Sequence, residues 1–124
     1  MKKENRSNSR FNFSLLNHNM KVFYKMPKYE RWNECELYNL CFQGAGLKLP
    51  QIMSKDDRLD IKINDEKNMV FLKGNVVHMS GRVTGIAFEE LSGNQEKFLE
   101  ALFISARNNT LKNFKNISLD YIHR

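Results

Sequence analysis

The sequence has few of the residues from which metal centres and redox sites are built. Among its 124 residues are three histidines and two cysteines, and the histidines are scattered along the chain. Cys35 and Cys41 are too far apart for a Cys-x-x-Cys motif, and no partner ligands lie near them. We therefore expect neither a metal nor a cofactor.

Long apolar runs and catalytic patterns are missing as well. No apolar run approaches the length of a membrane span, so we expect no membrane insertion. Lys2 and Lys3 are followed by polar residues and not by the apolar stretch of a signal peptide, which favours a cytoplasmic protein. No Ser/His/Asp or Cys/His constellation, phosphate-binding loop or Glu-rich metal site is present. The sequence thus predicts a protein that is not an enzyme.

Positive charge is concentrated in the first quarter of the chain. Residues 1–31 hold eight Lys or Arg against two Glu, whereas residues 32–124 hold twelve basic and twelve acidic residues. The whole net charge of +6 therefore comes from the first 31 residues. Such a localised charge favours an anionic partner, such as a nucleotide, a nucleic-acid strand or an acidic protein surface.

Short alternating apolar runs dominate the middle of the chain. Residues 59–63 alternate Leu, Ile and Ile with Asp and Lys, which is typical of a strand with one buried face. Residues 69–73 form a further short strand, and residues 76–79 form a hairpin pattern with residues 83–88. The polar residues 25–36 are predicted to be a loop. Many short antiparallel strands at this spacing predict a mainly β protein with a closed or nearly closed barrel.

A helix is predicted after the last strand. Ser92 and Gln95 have the spacing of a capping box, and the apolar residues that follow recur at helical spacing up to about residue 106. Asn108-Asn109 interrupts this pattern, and a second amphipathic segment begins near Thr110. We therefore expect two helical segments at the end of the chain.

The length fits one domain with attached terminal segments. Residues 1–10 are too polar to bury much surface, so we expect a flexible basic segment there. Residues 11–106 are predicted to form the barrel and its helix. Residues 107–124 are predicted to be an amphipathic tail that covers the core or pairs with a second copy.

Two short motifs combine into a plausible nucleotide site. Arg6 and Arg10 are four residues apart in the basic segment, and Asn39, Cys41 and Gly44 form the pattern Asn-x-Cys-x-x-Gly. A guanidinium fork suits phosphates and the O6/N7 edge of guanine, and its flat face can stack on a purine. Asn39 supplies an amide, Cys41 a small side chain and Gly44 a backbone without a Cβ atom. A flat base can therefore approach the main chain closely.

The order of these motifs resembles the PilZ domain, whose family pattern is Arg-x-x-x-Arg followed by Asp/Asn-x-Ser-x-x-Gly on a small β-barrel. The resemblance covers roughly residues 6–105. It implies a six-stranded antiparallel barrel with a C-terminal helix, and a receptor for cyclic di-GMP. It also implies that Arg6 and Arg10 bracket the guanines and phosphates and become ordered with the ligand, and that Asn39 contacts a guanine.

Two further positions are interpreted through this resemblance. Cys41 stands where the family usually has serine, and a thiol is a poorer hydrogen-bonding group than a hydroxyl. We expect a loss of about 0.5–1.5 kcal/mol, or up to about tenfold in affinity, without loss of the site. The phrase Gly74-Asn75-Val76-Val77-His78 is similar to a family strand that ends near a residue flanking a base. His78 is therefore a weaker candidate for ligand binding.

The resulting hypothesis is that cyclic di-GMP folds the N-terminal segment onto the barrel and changes a surface seen by a downstream protein partner. One alternative is a degenerate module that has lost the ligand and binds only proteins. Another, ranked third, is a small barrel that binds single-stranded nucleic acid through the basic front of the chain. In that case Phe11, Phe13, Tyr24 and Trp32 would stack on the bases.

Overall fold

A computed structural model of the chain describes the backbone of residues 11–12, 20–65 and 67–122, with side chains for residues 20–65 and 67–108. The basic segment with Arg6 and Arg10 lies outside the described residues. The described part has seven strands and one helix. These are β1 (Phe11–Asn12), β2 (Lys21–Lys25), β3 (Asn33–Leu40), β4 (Gly44–Lys48), β5 (Arg58–Asn64), β6 (Met69–Ser80), β7 (Val83–Phe88) and α1 (Gly93–Ile122).

The strands close into a barrel through β3. The ring runs β3-β2-β5-β6-β7-β4, and β4 pairs back onto β3, with every pairing antiparallel. Residues 33–35 of β3 pair with β2, and its second half pairs with β4. That second half also pairs with β1 at Asn39 and Leu40. The chain therefore forms a closed six-stranded antiparallel barrel with a C-terminal helix, which confirms the predicted fold class.

Alternating side chains fill the barrel. In β5, Leu59, Ile61 and Ile63 are at most 1% exposed, while Asp60 and Lys62 lie on the outer face. Burying each such Leu or Ile contributes about 1.5–3 kcal/mol. The helix adds four residues to the same core, namely Leu99, Leu102, Phe103 and Ala106.

The capping box forms as predicted at the start of α1. The hydroxyl oxygen of Ser92 accepts a hydrogen bond from the backbone N–H of Gln95 at 3.2 Å, and the Gln95 side chain accepts one from the backbone N–H of Ser92 at 2.7 Å. The predicted break at Asn108-Asn109 is wrong, because α1 continues without interruption to Ile122. Asparagine has a weaker helix propensity than alanine, but two such residues do not end a helix that has formed on both sides. No helix within the described residues is long and apolar enough to span a membrane.

Two details of the strand prediction are also wrong. The loop prediction for residues 33–36 is wrong, because these residues belong to β3. Glu34 and Glu36 are exposed on the outer face, so this part of the strand has little apolar character in the sequence. Residues 69–73 and 76–79 are one strand, β6, which passes through Gly74 without a turn. A Cβ atom at Gly74 would crowd the Ile86 side chain and the Ala87 carbonyl oxygen, so this glycine permits close packing of β6 on β7.

Candidate ligand-binding site

The motif at residues 39–44 contains the end of β3, the connection at residues 41–43 and the first residue of β4. The backbone N–H of Cys41 donates to the Gly44 carbonyl oxygen at 2.9 Å, and the backbone N–H of Phe88 donates to the Gln43 carbonyl oxygen at 2.8 Å. A Cβ atom at Gly44 would run into the carbonyl oxygen of Ile86 in β7. Glycine is therefore required at position 44 for β4 to lie against β7. This loop is held on both sides by main-chain hydrogen bonds.

A β-bulge in β3 places two consecutive side chains on the outer face. Leu37 pairs with Leu47 and Asn39 pairs with Gly46, so Tyr38 is an extra residue with no counterpart in β4. Without the bulge, a buried Leu37 would be followed by an inward Asn39, because side chains alternate along a strand. The extra residue instead leaves Tyr38 exposed and Asn39 half-buried, and Leu40 returns to the core.

A second β-bulge, in β6, also places two consecutive side chains on the outer face. Strand β6 pairs with β7, whereas β3 pairs with β4. Val76 pairs with Ile86 and His78 pairs with Gly85, so Val77 is the extra residue. Val76 is fully buried, whereas Val77 and His78 are both exposed. Bulges re-aim side chains in this way, and they are common beside functional sites.

Two glycines lie between the re-aimed Asn39 and His78. Gly46 of β4 and Gly85 of β7 are direct cross-strand partners, Asn39 is the partner of Gly46, and His78 is the partner of Gly85. The four residues thus form one row across four strands. A Cβ atom at Gly46 would come within 2.9 Å of the Asn39 Oδ1 atom. One at Gly85 would come within 2.6 Å of the His78 Nδ1 atom. The amide and the imidazole therefore lean over the glycines.

This row is the floor of a surface cleft of about 430 Å³, which we call the glycine cleft. Its walls combine an amide, an imidazole, a hydroxyl and exposed apolar groups. A cleft with a flat floor and a few polar groups at its edges can admit a planar base and hydrogen-bond its rim. The lining residues are Tyr38, Asn39, Ala45, Gly46, Val77, His78, Ser80, Val83, Gly85 and Ile86.

The predicted site residues are only partly brought together. Asn39 and His78 line the glycine cleft, whereas Cys41 is fully buried in the adjoining loop and Gly44 is the first residue of β4. Arg6 and Arg10 lie outside the described residues. Strand β1, however, pairs Phe11 with Leu40 and Asn12 with Asn39, so the chain that follows Arg10 lies beside the motif.

The sequence analysis missed Gly46, Gly85 and Tyr38 as members of this site. Glycine within a strand often marks a place where another group approaches the backbone closely, and this signal could have singled out both glycines. Tyr38 carries no such signal, because a bulge adds one residue without a distinctive sequence pattern.

A different outer surface, which we call the aromatic face, covers β2, β5 and β6. The Trp32 ring centroid lies 5.9 Å from that of Phe71, and the Lys25 and Lys62 Nζ atoms lie 5.4 and 4.9 Å from the Trp32 centroid. Lys62 also sits 4.8 Å from the Phe23 centroid. Trp32 is therefore engaged by its neighbours within the chain, and it lies outside the glycine cleft.

The half-buried Cys35 and the buried Tyr24 both have a raised pKa. Burial, together with the Glu34 and Glu36 carboxylates, raises the pKa of the Cys35 thiol to about 12, so it stays protonated and is a poor nucleophile. Burial also raises the pKa of Tyr24, whose hydroxyl hydrogen-bonds to Gln51 at 3.1 Å. Tyr24 is a core residue and cannot stack on a nucleic-acid base. In the part of the chain with described side chains, no three His, Cys, Asp or Glu residues converge on a metal position.

Comparison with known proteins supports the same fold. A model of the PilZ domain matches residues 4–105 of the chain. The PilZ domain of CeSA from a cellulose-synthesizing bacterium is similar in structure, with a TM-score of 0.59 and 13% identity over 77% of this chain and 96% of that one. An uncharacterized Legionella protein gives a TM-score of 0.54 and 16% identity over 82% of this chain and 97% of its own. Among curated protein sequences, none matches this chain.

Proposed function

Because this chain belongs to the PilZ domain family, we propose that it is a receptor for cyclic di-GMP which binds the ligand in the glycine cleft. In this proposal the protein is a cytoplasmic receptor and not a catalyst. The ligand is a dianion with two guanine bases, so the site must offer cations for the phosphates, hydrogen-bonding groups for the base edges and flat surfaces for the rings.

The observation that carries this proposal is the row of four residues across the cleft. The two bulges turn the side chains of Asn39 and His78 to the outer face of the barrel, one on each side of the Gly46–Gly85 pair. The two glycines carry no side chain. A guanine lying on this floor would meet the Asn39 amide, which can donate and accept at the base edge. The His78 imidazole lies over Gly85, so it would have to turn aside to admit the base, which it would then flank. Larger side chains at positions 46 and 85 would occupy the space in which the base is proposed to lie.

The basic segment supplies the cations in this proposal. Strand β1 fixes Phe11 beside Leu40, directly before the motif loop. Consecutive Cα atoms are about 3.8 Å apart, so Arg10 starts within one residue of this end of the barrel. Arg6 is four residues further, a span of at most about 14 Å. Both guanidinium groups are therefore within reach of a ligand in the cleft, and we propose that they bracket its guanines and phosphates.

The motif loop has a supporting function in this proposal. Gly44 lets β4 pack against β7, which positions Gly46 as the floor of the cleft. A ligand contact of Cys41, as the resemblance implies, stays a prediction. Its side chain is fully buried, so such a contact requires movement of residues 41–43.

The relay follows from the difference between the free and bound states. Ligand binding orders residues 1–10 over the cleft, and only contacts made in the bound state can shift that equilibrium. In this proposal the ordered segment adds a basic surface to the barrel. We propose that a downstream protein partner distinguishes these two surfaces.

Titration calorimetry of the full chain with cyclic di-GMP tests the proposal. Arg6→Ala and Arg10→Ala should each weaken binding by about tenfold to a hundredfold, because a charge-assisted hydrogen bond is worth about 1.5–3 kcal/mol. Arg10→Lys should recover only part of the loss, since lysine keeps the charge but lacks the planar fork. Lys3→Ala removes the same charge from the same segment and should change affinity less than about threefold.

Thermal unfolding supplies the control. Without ligand, the arginine variants should unfold at the temperature of the original chain, whereas saturating cyclic di-GMP should raise that temperature only where binding persists. Undiminished affinity in both alanine variants would show that the arginines are not the ligand contacts. No binding by the original chain would favour a degenerate module that binds only proteins. Equal binding of an oligonucleotide, with steep salt dependence, would favour a nucleic-acid barrel.

A further inference from the structure

Tyr38 is placed at the edge of the glycine cleft by the bulge in β3. It is the extra residue of that bulge, directly precedes Asn39 and lines the cleft. Its side chain is 46% exposed. Because the bulge sends Tyr38 and Asn39 to the same outer face, the phenol ring and the amide stand side by side at one wall.

The ring of Tyr38 is partly ordered by a neighbouring cation. The Lys48 Nζ atom of β4 lies 5.6 Å from the ring centroid and 4.0 Å from the Glu36 Oε1 atom. The ammonium group is attracted to the face of the ring, which restricts the positions that the ring adopts.

We propose that Tyr38 is a base-stacking residue of this site, in addition to the arginines, Asn39 and His78. The inference rests on the proposed function and deepens it. A guanine on the Gly46–Gly85 floor has its edge at Asn39 and leaves its other face uncovered. The exposed phenol ring of Tyr38 lies beside this position and can turn over that face, and aromatic rings stack on the face of any base. Tyr38 thus supplies ring contact area, while Asn39 supplies the hydrogen bonds that select guanine.

The chain contains a matched control for this proposal. Tyr29 is 57% exposed and has the Lys28 Nζ atom 5.4 Å from its ring centroid, so its local surroundings resemble those of Tyr38. Tyr29 lies in the connection between β2 and β3, however, and does not line the glycine cleft. A contribution to binding from any exposed tyrosine beside a lysine would affect both residues equally.

Titration calorimetry with cyclic di-GMP on the full chain tests the inference. Tyr38→Leu should weaken binding by about tenfold, because stacking on an aromatic ring is worth about that factor or more per base. Tyr38→Phe keeps the ring and should bind within about twofold of the original chain, as should Tyr29→Leu. Melting of the ligand-free variants should be unchanged, since the side chain is exposed.

Tryptophan fluorescence gives a second readout that a purely structural residue would not move. In a Trp32→Phe background, Tyr38→Trp places the single tryptophan at the cleft, and a stacked guanine should quench its emission on titration with cyclic di-GMP. Quenching together with the loss in Tyr38→Leu supports the inference. Undiminished affinity of Tyr38→Leu, with the original chain still binding, overturns it and leaves the proposed function standing. Absence of binding by the original chain overturns both.

Discussion

The glycine cleft and the aromatic face lie on the same barrel but are built in opposite ways. On the aromatic face, β2 and β5 pair without interruption, and each outward position carries a large side chain, such as Phe23 opposite Lys62. Lysine ammonium groups cover the aromatic rings there. Around the cleft, both flanking strands contain a bulge, and the two central outward positions, Gly46 and Gly85, carry no side chain.

This difference shows how one small barrel forms a surface cleft without a gap in its core. The inner positions are filled under both surfaces, as Val76 and Leu47 beneath the cleft are as fully buried as Leu59 beneath the aromatic face. Only the outer layer differs. Regular pairing with large side chains covers β2 and β5, and a smaller cavity of about 240 Å³ lies beside Trp32 and Phe71. Two extra residues and two glycines form the glycine cleft on the other surface. The site can therefore be changed without unfolding the protein, except where a glycine contacts backbone.

Gly44→Ala should give the largest effect, and the effect should be on stability. The added methyl group would meet the Ile86 carbonyl oxygen, which is backbone and cannot swing away. Separating β4 from β7 costs about 3 kcal/mol in the free energy of unfolding, as in other overpacked positions. Urea denaturation measures this loss. Gly93→Ala, whose new methyl group meets no atom within 4 Å, is the control and should not destabilise. Equal stability of the two variants would contradict the steric requirement at position 44.

Gly85→Ala should have the next largest effect, on binding. The new methyl group would meet the His78 imidazole, which is the end of an exposed side chain and can turn aside. The free energy of unfolding should therefore change by less than about 1 kcal/mol, whereas cyclic di-GMP affinity should fall about tenfold or more as the cleft floor rises. Titration calorimetry and urea denaturation of the same sample separate the two quantities.

A double-mutant cycle with His78 distinguishes a filled floor from a displaced imidazole. If displacement of the ring causes the loss, Gly85→Ala should cost little more once His78→Ala has removed that ring. If the methyl group itself blocks the base, the loss should persist in the double variant. Full affinity of Gly85→Ala alone would place the ligand away from the Gly46–Gly85 pair.

The parts of the fold that depend on local pattern could be predicted from the sequence. Residues 59–63 alternate because one face is buried, and Ser92 with Gln95 forms a cap through atoms three residues apart. The start of β3 could not be seen, because Glu34 and Glu36 occupy its outer face. Residues 33–35 form a strand because their backbone pairs with β2. Backbone hydrogen-bonding groups are the same in every residue except proline, so this pairing leaves no pattern in the sequence.

The geometry of the site depends on register, which a single sequence does not reveal. Asn39 was identified from its motif, but its outward direction results from the extra residue Tyr38, and a one-residue shift reverses the face of every following side chain. Gly46 and Gly85 are 39 positions apart, and their pairing results from barrel closure. The motif itself could therefore be found in the sequence, whereas the cleft that Asn39 lines could not.

Trp32→Leu should have the smallest effect and should sharpen the contrast between the two surfaces. It removes the ring contact with Phe71 and the cation–π contacts with Lys25 and Lys62. Such contacts at a partly exposed site are worth about 1 kcal/mol in total free energy of unfolding, and Trp32→Phe should retain about half of that. Urea denaturation measures the loss.

The affinity of Trp32→Leu for cyclic di-GMP should be unchanged within about twofold, since the proposed site is the glycine cleft and not the aromatic face. A weaker affinity with normal stability would mean that the aromatic face takes part in binding. In the double variant, the stability losses of Trp32→Leu and Gly85→Ala should add, and the affinity should equal that of Gly85→Ala alone. Both results together would show that the two surfaces are independent. In that case the aromatic face contributes to the stability of the barrel, and residues of the glycine cleft can be replaced to change ligand affinity without a further loss of stability.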